Sequence, residues 1–423
     1  MAKKMSLADK KKAMAGMISK INDKVGKSVM GFASDPDIQD KLTIEWIPMP
    51  SLRVNEITGG GIPKGKVTIL AGDSDSGKTS SMLETIGMNM KKDPDFMAIW
   101  LESEESLELK SLVDTFGIDL SRFVIIYLER DGAAEVALDR LEATLATGIF
   151  DLCVINSLKC LTPSTEFEKE MSAATIGLQA RMFGKLMRKM VSLIAEHNCG
   201  FVLINHLTTE IGKMHGDPLT IAGGRAIRYS SMLTLDMRKR SIQESDPISR
   251  EDGMKINVTV HKNHCRQDRM PYLKTDFFVV YGQGTERSIE IIELAEKCGI
   301  LTKKGSWFRE YSGEVNSKGE PIERILADGT KAAWNGMKNT RAYIVNNPDY
   351  YDYLVNRVEN FGKIDVETLS QEEVEAIEAE NKLDAVPVKF TDNKGETVVL
   401  DEVLVDPEEA GEAPKKKKTT KKK

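Results

Sequence analysis

Apolar and polar positions alternate between strand-like and helix-like segments through the middle of the chain. Short apolar runs typical of buried strands occupy residues 67–71, 96–101, 123–128, 150–155 and 200–205. Segments with helical spacing lie between them, from residue 78 onward and at 106–116, 133–146 and 176–197. This order predicts an α/β fold with a largely parallel, twisted sheet that helices cover on both faces.

Three later runs are strand-like but lack long helices between them: 231–237, 255–261 and 272–281. We therefore expect them to extend the sheet in antiparallel fashion. Ligands of such sheets lie at the carboxyl ends of the parallel strands.

The N-terminal segment has apolar residues at helical spacing and lysines on the other face; the apolar positions are Met14, Met17, Ile18, Ile21 and Val25. A helix this short is marginal alone. It needs another surface, either its own core or a neighbouring subunit.

Composition divides the 423 residues into four parts. They are an N-terminal helix and connection at 1–42, an α/β core at 43–282, a small α/β C-terminal domain at 283–362 and a tail at 363–423. The tail is acidic, ends in a polybasic run and lacks the apolar content for a core, so we expect it to be flexible.

Charge and cysteine content argue against general polyanion binding, a disulfide framework and a zinc site. The net charge of -6 gives no general affinity for polyanions, so binding of nucleic acid must use local basic patches. The five scattered cysteines indicate buried thiols of a reducing compartment, and the His261 to Cys265 cluster lacks the second ligand pair of a zinc site. Without a signal peptide or membrane span, the expected location is the cytoplasm.

The loop after the first strand reads GDSDSGKT and fits G-x-x-x-x-G-K-[ST], between a strand and a helix. Backbone N–H groups of such a loop surround phosphate oxygens, Lys78 reaches the terminal phosphates and the Thr79 hydroxyl can bind Mg²⁺. The alternative is a glycine-rich turn that only precedes a helix. The predicted triphosphate cradle comprises Gly72, Asp73, Ser74, Asp75, Ser76, Gly77, Lys78, Thr79 and Ser80.

Acidic residues 102, 104 and 105 follow the second core strand, opposite this cradle. A carboxylate there can deprotonate the water that attacks a γ-phosphate, and we choose Glu104 for that base. The alternative is a solvated helix start, where acidic residues are favourable anyway.

Polar residues also end the next two buried strands. Asn156 occupies the place where P-loop enzymes usually keep a Mg²⁺-supporting aspartate, so the predicted metal site consists of Thr79 and Asn156. His206 ends the following strand and can contact the γ-phosphate. The alternative for His206 is a hydrogen-bonded surface histidine.

The motifs together resemble the RecA recombinase family over about residues 5 to 362. In chain order they are GDSDSGKT, LESE, VINSLKCLTP, EFEKEMSAATIGLQARMFGKLMRKM, INHLTTEIGKMHGDPLTIAGGRAIRYS, HKN and YGQG. The long tail and His206 are more similar to the phage branch of the family than to the bacterial one.

The resemblance implies a role for each matching residue. Lys78 would bind phosphate, Glu104 would be catalytic and His206 would be the γ-phosphate sensor. Segments 166–177 and 213–225 would be two DNA-binding loops. The implied DNA contacts are Ile176, Gly177, Arg181, Arg188, Gly223, Gly224 and Arg225, and the implied subunit contacts are Tyr229 and Lys262, the last reaching the neighbour's ATP. From the helical spacing of the N-terminal segment we also expect Met14 and Ile18 to contact the next subunit.

The basic residues on 181–189 would line one side of a helix, and arginines flank Gly223–Gly224, whose backbone can approach phosphates closely. The alternative is an ordinary solvated helix face.

Four departures from the family pattern stand out. Asn156 replaces the usual aspartate, and His264 stands where a second interface lysine is expected. No adenine-stacking tyrosine is evident, Leu112 being the nearest match, and the tail end is polybasic.

We thus expect an ATP- and Mg²⁺-dependent recombinase that forms a helical homo-oligomeric filament on single-stranded DNA and exchanges strands with double-stranded DNA. Loader and single-strand-binding proteins are further expected partners, and no membrane is. The alternatives are a hexameric helicase or ring ATPase of the same fold, or a DNA-coating filament that binds ATP but hydrolyses little of it.

Overall fold

A computed structural model describes residues 5–26, 28–128, 134–164, 177–209, 219–221, 224–244, 246–266, 270, 272–360, 389–391 and 397–399. The chain forms two compact units, residues 1–359 and residues 360–423. All sites discussed below belong to the first unit.

The first unit is built on one large sheet. Its strands are β3 (Val67–Gly72), β4 (Ala98–Glu102), β5 (Phe123–Tyr127), β6 (Leu152–Asn156), β7 (Gly200–Thr209), β8 (Leu219–Ile221), β9 (Ser231–Arg240), β10 (Gly253–Asn263), β11 (Lys274–Val280) and β12 (Gly284–Thr285). They lie in the order β12-β11-β10-β9-β3-β7-β6-β4-β5, with β8 paired to β7. Six neighbouring strands, β9 to β5 in that order, run parallel, which confirms the predicted largely parallel α/β sheet.

The prediction for the later strands was wrong in one respect. Strands β10 and β11 extend the sheet in antiparallel fashion, as expected, but β9 runs parallel to β3. A short helix just before β9, Gly224–Ser230, returns the chain to the side from which β3 starts. The apolar pattern of seven residues is too short to predict such a crossover.

Helices cover both faces of the sheet. In chain order they are α1 (Leu7–Val25), α2 (Pro36–Leu42), α3 (Leu52–Thr58), α4 (Lys78–Lys92), α5 (Ala134–Leu145), α6 (Leu178–Glu196) and α7 (Gly224–Ser230). Helix α4 buries Ile86 and Met90 against one face, where Trp100 of β4 lies. Helices α5 and α6 bury Leu141 and Phe183 against the other face. The short strands β1 (Trp46–Ile47) and β2 (Ile62–Pro63) pair separately.

The helix predicted at 106–116 is reduced to a π-helical turn, Ser111–Thr115. The backbone N–H and hydroxyl of Ser106 both face the Glu102 carboxylate at 3.4 Å. These contacts hold the start of the segment against the end of β4, which competes with a regular helix start.

Residues 287–359 add three helices and two small sheets: α8 (Arg287–Lys297), β13 (Thr302–Lys304), β14 (Trp307–Arg309), β15 (Tyr311–Val315), β16 (Pro321–Glu323), β17 (Ala333–Asn335), α9 (Gly336–Asn346) and α10 (Pro348–Glu359). They share an apolar cluster that includes Phe308, Ile344 and Leu354. The predicted domain boundaries, including 283–362, stay predictions.

Helix α8 is tied to the sheet-bearing part of the same unit by a buried carboxylate. Glu290 accepts hydrogen bonds from the Ser51 hydroxyl at 2.6 Å and the Leu52 N–H at 2.7 Å, which satisfies the start of α3. Burial raises the pKa of Glu290 to about 7.

The second unit contributes the hairpin strands β18 (Lys389–Thr391) and β19 (Thr397–Val399), and the flexible tail expected elsewhere in 363–423 lies outside the described residues. None of the helices in the described part of the chain has the length and apolar content to traverse a bilayer.

Candidate nucleotide site and nucleic-acid surface

The GDSDSGKT loop joins β3 to α4 and is shaped by two glycines. A Cβ at Gly72 would lie 2.2 Å from the Met237 carbonyl oxygen. At Gly77, φ is 81° and a Cβ would lie 2.6 Å from Ile256. No side chain caps the N-terminus of α4, so the first-turn N–H groups remain available to an anion. The loop therefore fits the phosphates of a nucleotide, which such helix ends favour.

Lys78 lies inside the loop. Its Nζ donates to the carbonyl oxygens of Gly72 at 3.2 Å and Asp73 at 2.5 Å, and to Ser76 Oγ at 3.2 Å. Burial lowers the pKa of Lys78, although the nearby acids, Glu104 first among them, act in the opposite direction. The ammonium is held where terminal phosphates of a bound nucleotide would replace its loop contacts.

The two predicted metal-binding oxygens come together across α4 and β6. Thr79 Oγ1 donates to Asn156 Oδ1 at 3.4 Å, and Asn156 is fully buried. Octahedral Mg²⁺ with bonds of about 2.0–2.1 Å places adjacent ligands about 2.9 Å apart. Because a small shift brings the two oxygens to that spacing, this pair fits the ion implied by the motif.

The predicted base and the predicted sensor form one cluster. His206 Nε2 lies 3.1 Å from Glu104 Oε1, and the Ser157 hydroxyl donates to the same oxygen. The side chains of His206 and Glu104 are only 18% and 24% exposed, respectively. In the sheet register His206 is the partner of Gly72, so the cluster faces the cradle.

Sequence reasoning missed one member of this cluster and left another open. The role of Ser157 was not predicted, although a polar pair at the end of a buried strand was a usable signal. Glu102 was considered only as an acid that could compensate for Asn156, and in the structure it contacts Asn156 and the backbone of Glu104. Leu112, the nearest match to an adenine-stacking residue, is 3% exposed in the core and cannot stack on a base.

Lys262, predicted to reach a neighbour's ATP, lies on β10 just after a bulge between Val260 and Lys262. Its Nζ donates to the carbonyl oxygens of Arg228 at 3.1 Å and Tyr229 at 3.4 Å, at the end of α7, and also to that of Ser231. Burial lowers its pKa. The Tyr229 side chain is 76% exposed. Lys262 and Tyr229, two of the predicted interface residues, therefore lie next to each other on one surface.

Helix α1 carries the other predicted subunit contacts. Met14 is 41% exposed and Ile18 is half-buried, and no residue of this helix is buried by the described part of the chain. Its apolar stripe is thus open to another surface.

Several predicted DNA contacts lie on α6 and α7, which pack together. A Cβ at Gly224 would lie 3.3 Å from Ala180 Cβ, and Gly177 precedes α6 with φ at 84°. Arg181, Arg188 and Arg225 are all exposed. Ile176 and Gly223 lie outside the described residues. The described members of both predicted loops therefore border one basic surface.

In the part of the chain that the structure describes, no group of three or more histidine, cysteine or acidic side chains is arranged to hold a metal ion.

A family model and curated relatives identify the family of this chain. Residues 12–286 match the model of the RecA N-terminal domain. Protein RecA of Aquifex aeolicus is 31% identical over 326 residues, which cover 76% of this chain and 90% of that protein. Protein RecA of Bartonella quintana is 32% identical over 328 residues, which cover 77% and 90%. The crystal structure of the RadB recombinase aligns with TM-score 0.43 and 18% identity over 56% of this chain and 97% of that one. The chain belongs to the RecA recombinase family.

Proposed function

We propose that this protein is an ATP-dependent homologous recombinase that forms a helical filament on single-stranded DNA and exchanges its strand with duplex DNA. The observation that carries this proposal is the cradle and the Glu104–His206 cluster at one edge of the sheet in a chain of the RecA family. The family match favours this function over a hexameric helicase or a ring ATPase.

In the nucleotide reaction, the loop N–H groups and Lys78 bind the phosphates of ATP. Mg²⁺ bound by Thr79 and Asn156 would neutralise charge on the β- and γ-phosphates. Glu104 accepts the proton of the attacking water, and the Ser157 hydroxyl orients its carboxylate.

His206 connects the nucleotide to the DNA surface. It lies on β7, which continues to Thr209 and pairs with β8, a strand within the second predicted DNA loop. A γ-phosphate would compete with Glu104 for the imidazole. Because His206 and the strand end are continuous, this exchange would shift the loop that follows.

Filament growth uses surfaces that the single chain leaves open. The apolar stripe of α1 docks on the next subunit, with Tyr229 at the same interface. Lys262 then gives up its carbonyl contacts and reaches the neighbour's ATP, while His264 in place of a second lysine makes this contact weaker.

DNA lies against α6 and α7 in this proposal. Arg181, Arg188 and Arg225 contact phosphates, and the predicted loops around Ile176 and Gly223–Gly224 approach the strand closely. The predicted C-terminal domain collects incoming duplex. Loader and single-strand-binding proteins would assist assembly.

We further propose membership in the phage branch, which His206 and the polybasic tail support. The protein would then act in the cytoplasm of the host cell.

The test is ATP hydrolysis by the pure protein while single-stranded DNA is titrated in, with electron microscopy of the same samples. Strong stimulation with helical filaments supports the recombinase. Filaments without hydrolysis would favour a DNA-coating filament that binds ATP but hydrolyses little of it. This is the second candidate because Asn156 stands in place of the usual aspartate. Rings with DNA-independent turnover would favour the ring ATPase or helicase.

A further inference from the structure

A buried carboxylate lies directly behind the predicted metal ligand. Glu102 ends β4, is 1% exposed and is the register partner of Asn156 on β6. Its Oε2 accepts from Trp100 Nε1 at 2.8 Å and from Asn156 Nδ2 at 3.3 Å. Its Oε1 accepts from the Glu104 N–H at 2.7 Å. Both carboxylate oxygens thus accept hydrogen bonds.

The donors around Glu102 are neutral. They are an indole, an amide, two backbone N–H groups and the Ser106 hydroxyl, and within the described residues Glu102 forms no ion pair with a basic side chain. A buried charge without a counter-ion is costly. A cation bound nearby would remove that cost.

Glu102 also decides which way the Asn156 amide faces. The amide nitrogen donates to Glu102 and to Ser106 Oγ at 3.2 Å, so the amide oxygen points to Thr79. The opposite orientation would direct two N–H donors at the cation position. Glu102 thereby presents an oxygen to that position and keeps a negative charge one side chain behind it.

We propose that Glu102 is a positioning residue for Mg²⁺, supplying through Asn156 the negative charge that the usual aspartate would contribute directly. Partners behind a metal ligand typically change metal affinity by about 10- to 100-fold. The inference rests on the proposed function, since it assumes that ATP and Mg²⁺ occupy the cradle.

The experiment measures binding of a fluorescent, non-hydrolysable ATP analogue as Mg²⁺ is titrated, and repeats it in EDTA. Glu102→Gln should raise the Mg²⁺ concentration for half-maximal response about 10-fold or more. Binding in EDTA should not weaken, because the removed charge repels phosphates. Glu105→Gln is the matched control; it removes an exposed charge from the same segment and should leave the Mg²⁺ response unchanged.

A charge swap separates this role from a structural one. Adding Asn156→Asp to Glu102→Gln moves the carboxylate to the ligand itself and should return the Mg²⁺ response to within about threefold of the natural protein, a difference below 1 kcal/mol.

An unchanged Mg²⁺ response in Glu102→Gln would overturn the proposal, and so would equal losses with Mg²⁺ and in EDTA, or a swap that restores nothing. If the natural protein binds no analogue in either condition, the proposed function fails together with this inference.

Discussion

The sheet edge that carries the phosphate loop and the Glu104–His206 cluster, here called the nucleotide edge, differs from the outer surfaces of the same chain. The difference lies in whether the functional side chains already have partners within the chain. At the edge, Lys78, Asn156 and Glu104 all have partners within 3.4 Å in their own chain. On the outside, Tyr229 is 76% and Met14 is 41% exposed. The first region already has its polar partners within the chain, whereas the second, in the proposed function, is half of a contact with another subunit or with DNA. We therefore expect a single chain to bind nucleotide, and the proposed activity to need assembly.

The same difference explains how far the sequence could predict the molecule. Parallel strands end at one edge of a sheet, so residues after buried strands had to converge, and the structure brings Thr79, Glu104, Asn156 and His206 together. The parallel sheet was predicted correctly from the alternation of strand-like and helix-like segments, and the family from the resemblance of its motifs. The orientation of the Asn156 amide was not predictable, because it depends on which acid the register sets beside it.

Other features depend on contacts that leave no periodic signal. The parallel pairing of β9 follows from a seven-residue helix, and the failure of the 106–116 helix follows from Ser106 contacts to Glu102. The interface role of Tyr229 could be proposed only from resemblance, because an exposed tyrosine has the same pattern with or without a partner.

The most severe test of the nucleotide edge is Lys78→Ala. This change removes the buried ammonium, so both phosphate binding and stabilisation of the developing charge are lost. We expect DNA-stimulated ATP hydrolysis to fall by about 10³-fold or more. Lys91→Ala, an exposed lysine near the end of the same helix, is the control and should retain full turnover. Hydrolysis that survives in Lys78→Ala would show that the cradle lies elsewhere.

Glu104→Gln separates ATP hydrolysis from nucleotide binding at the nucleotide edge. The amide keeps the size of the side chain but cannot take a proton, so hydrolysis should fall by about 10²- to 10⁴-fold. Affinity for the fluorescent ATP analogue should remain within about threefold, below 1 kcal/mol. A parallel loss of affinity and turnover would instead assign Glu104 to nucleotide binding.

Ile18→Asp tests whether subunit assembly through α1 is independent of nucleotide binding at the nucleotide edge. A charge on the apolar stripe of α1 opposes docking on the next subunit. Burial of one isoleucine stabilises an interface by about 1.5–3 kcal/mol, so its loss should raise the protein concentration needed for assembly about 10-fold or more. Analogue binding by the unassembled chain should not change. Light scattering against protein concentration measures assembly, with Ser19→Asp on the exposed face as the control. Equal effects of both substitutions would remove α1 from the subunit interface.

The smallest expected effect belongs to Arg225→Ala, which tests whether the outer basic surface binds DNA. Arg225 is exposed on α7, next to Gly224, which packs against α6. Loss of one phosphate contact should weaken binding to single-stranded DNA several-fold at low salt. It should also reduce the slope of log affinity against log salt by about 0.7. Fluorescence anisotropy at several salt concentrations measures both, and Lys91→Ala, which removes a charge far along α4, should leave the slope as it is. A lower affinity with an unchanged slope would mean that Arg225 only supports the local fold, since a residue that contacts a phosphate must release counter-ions when it binds.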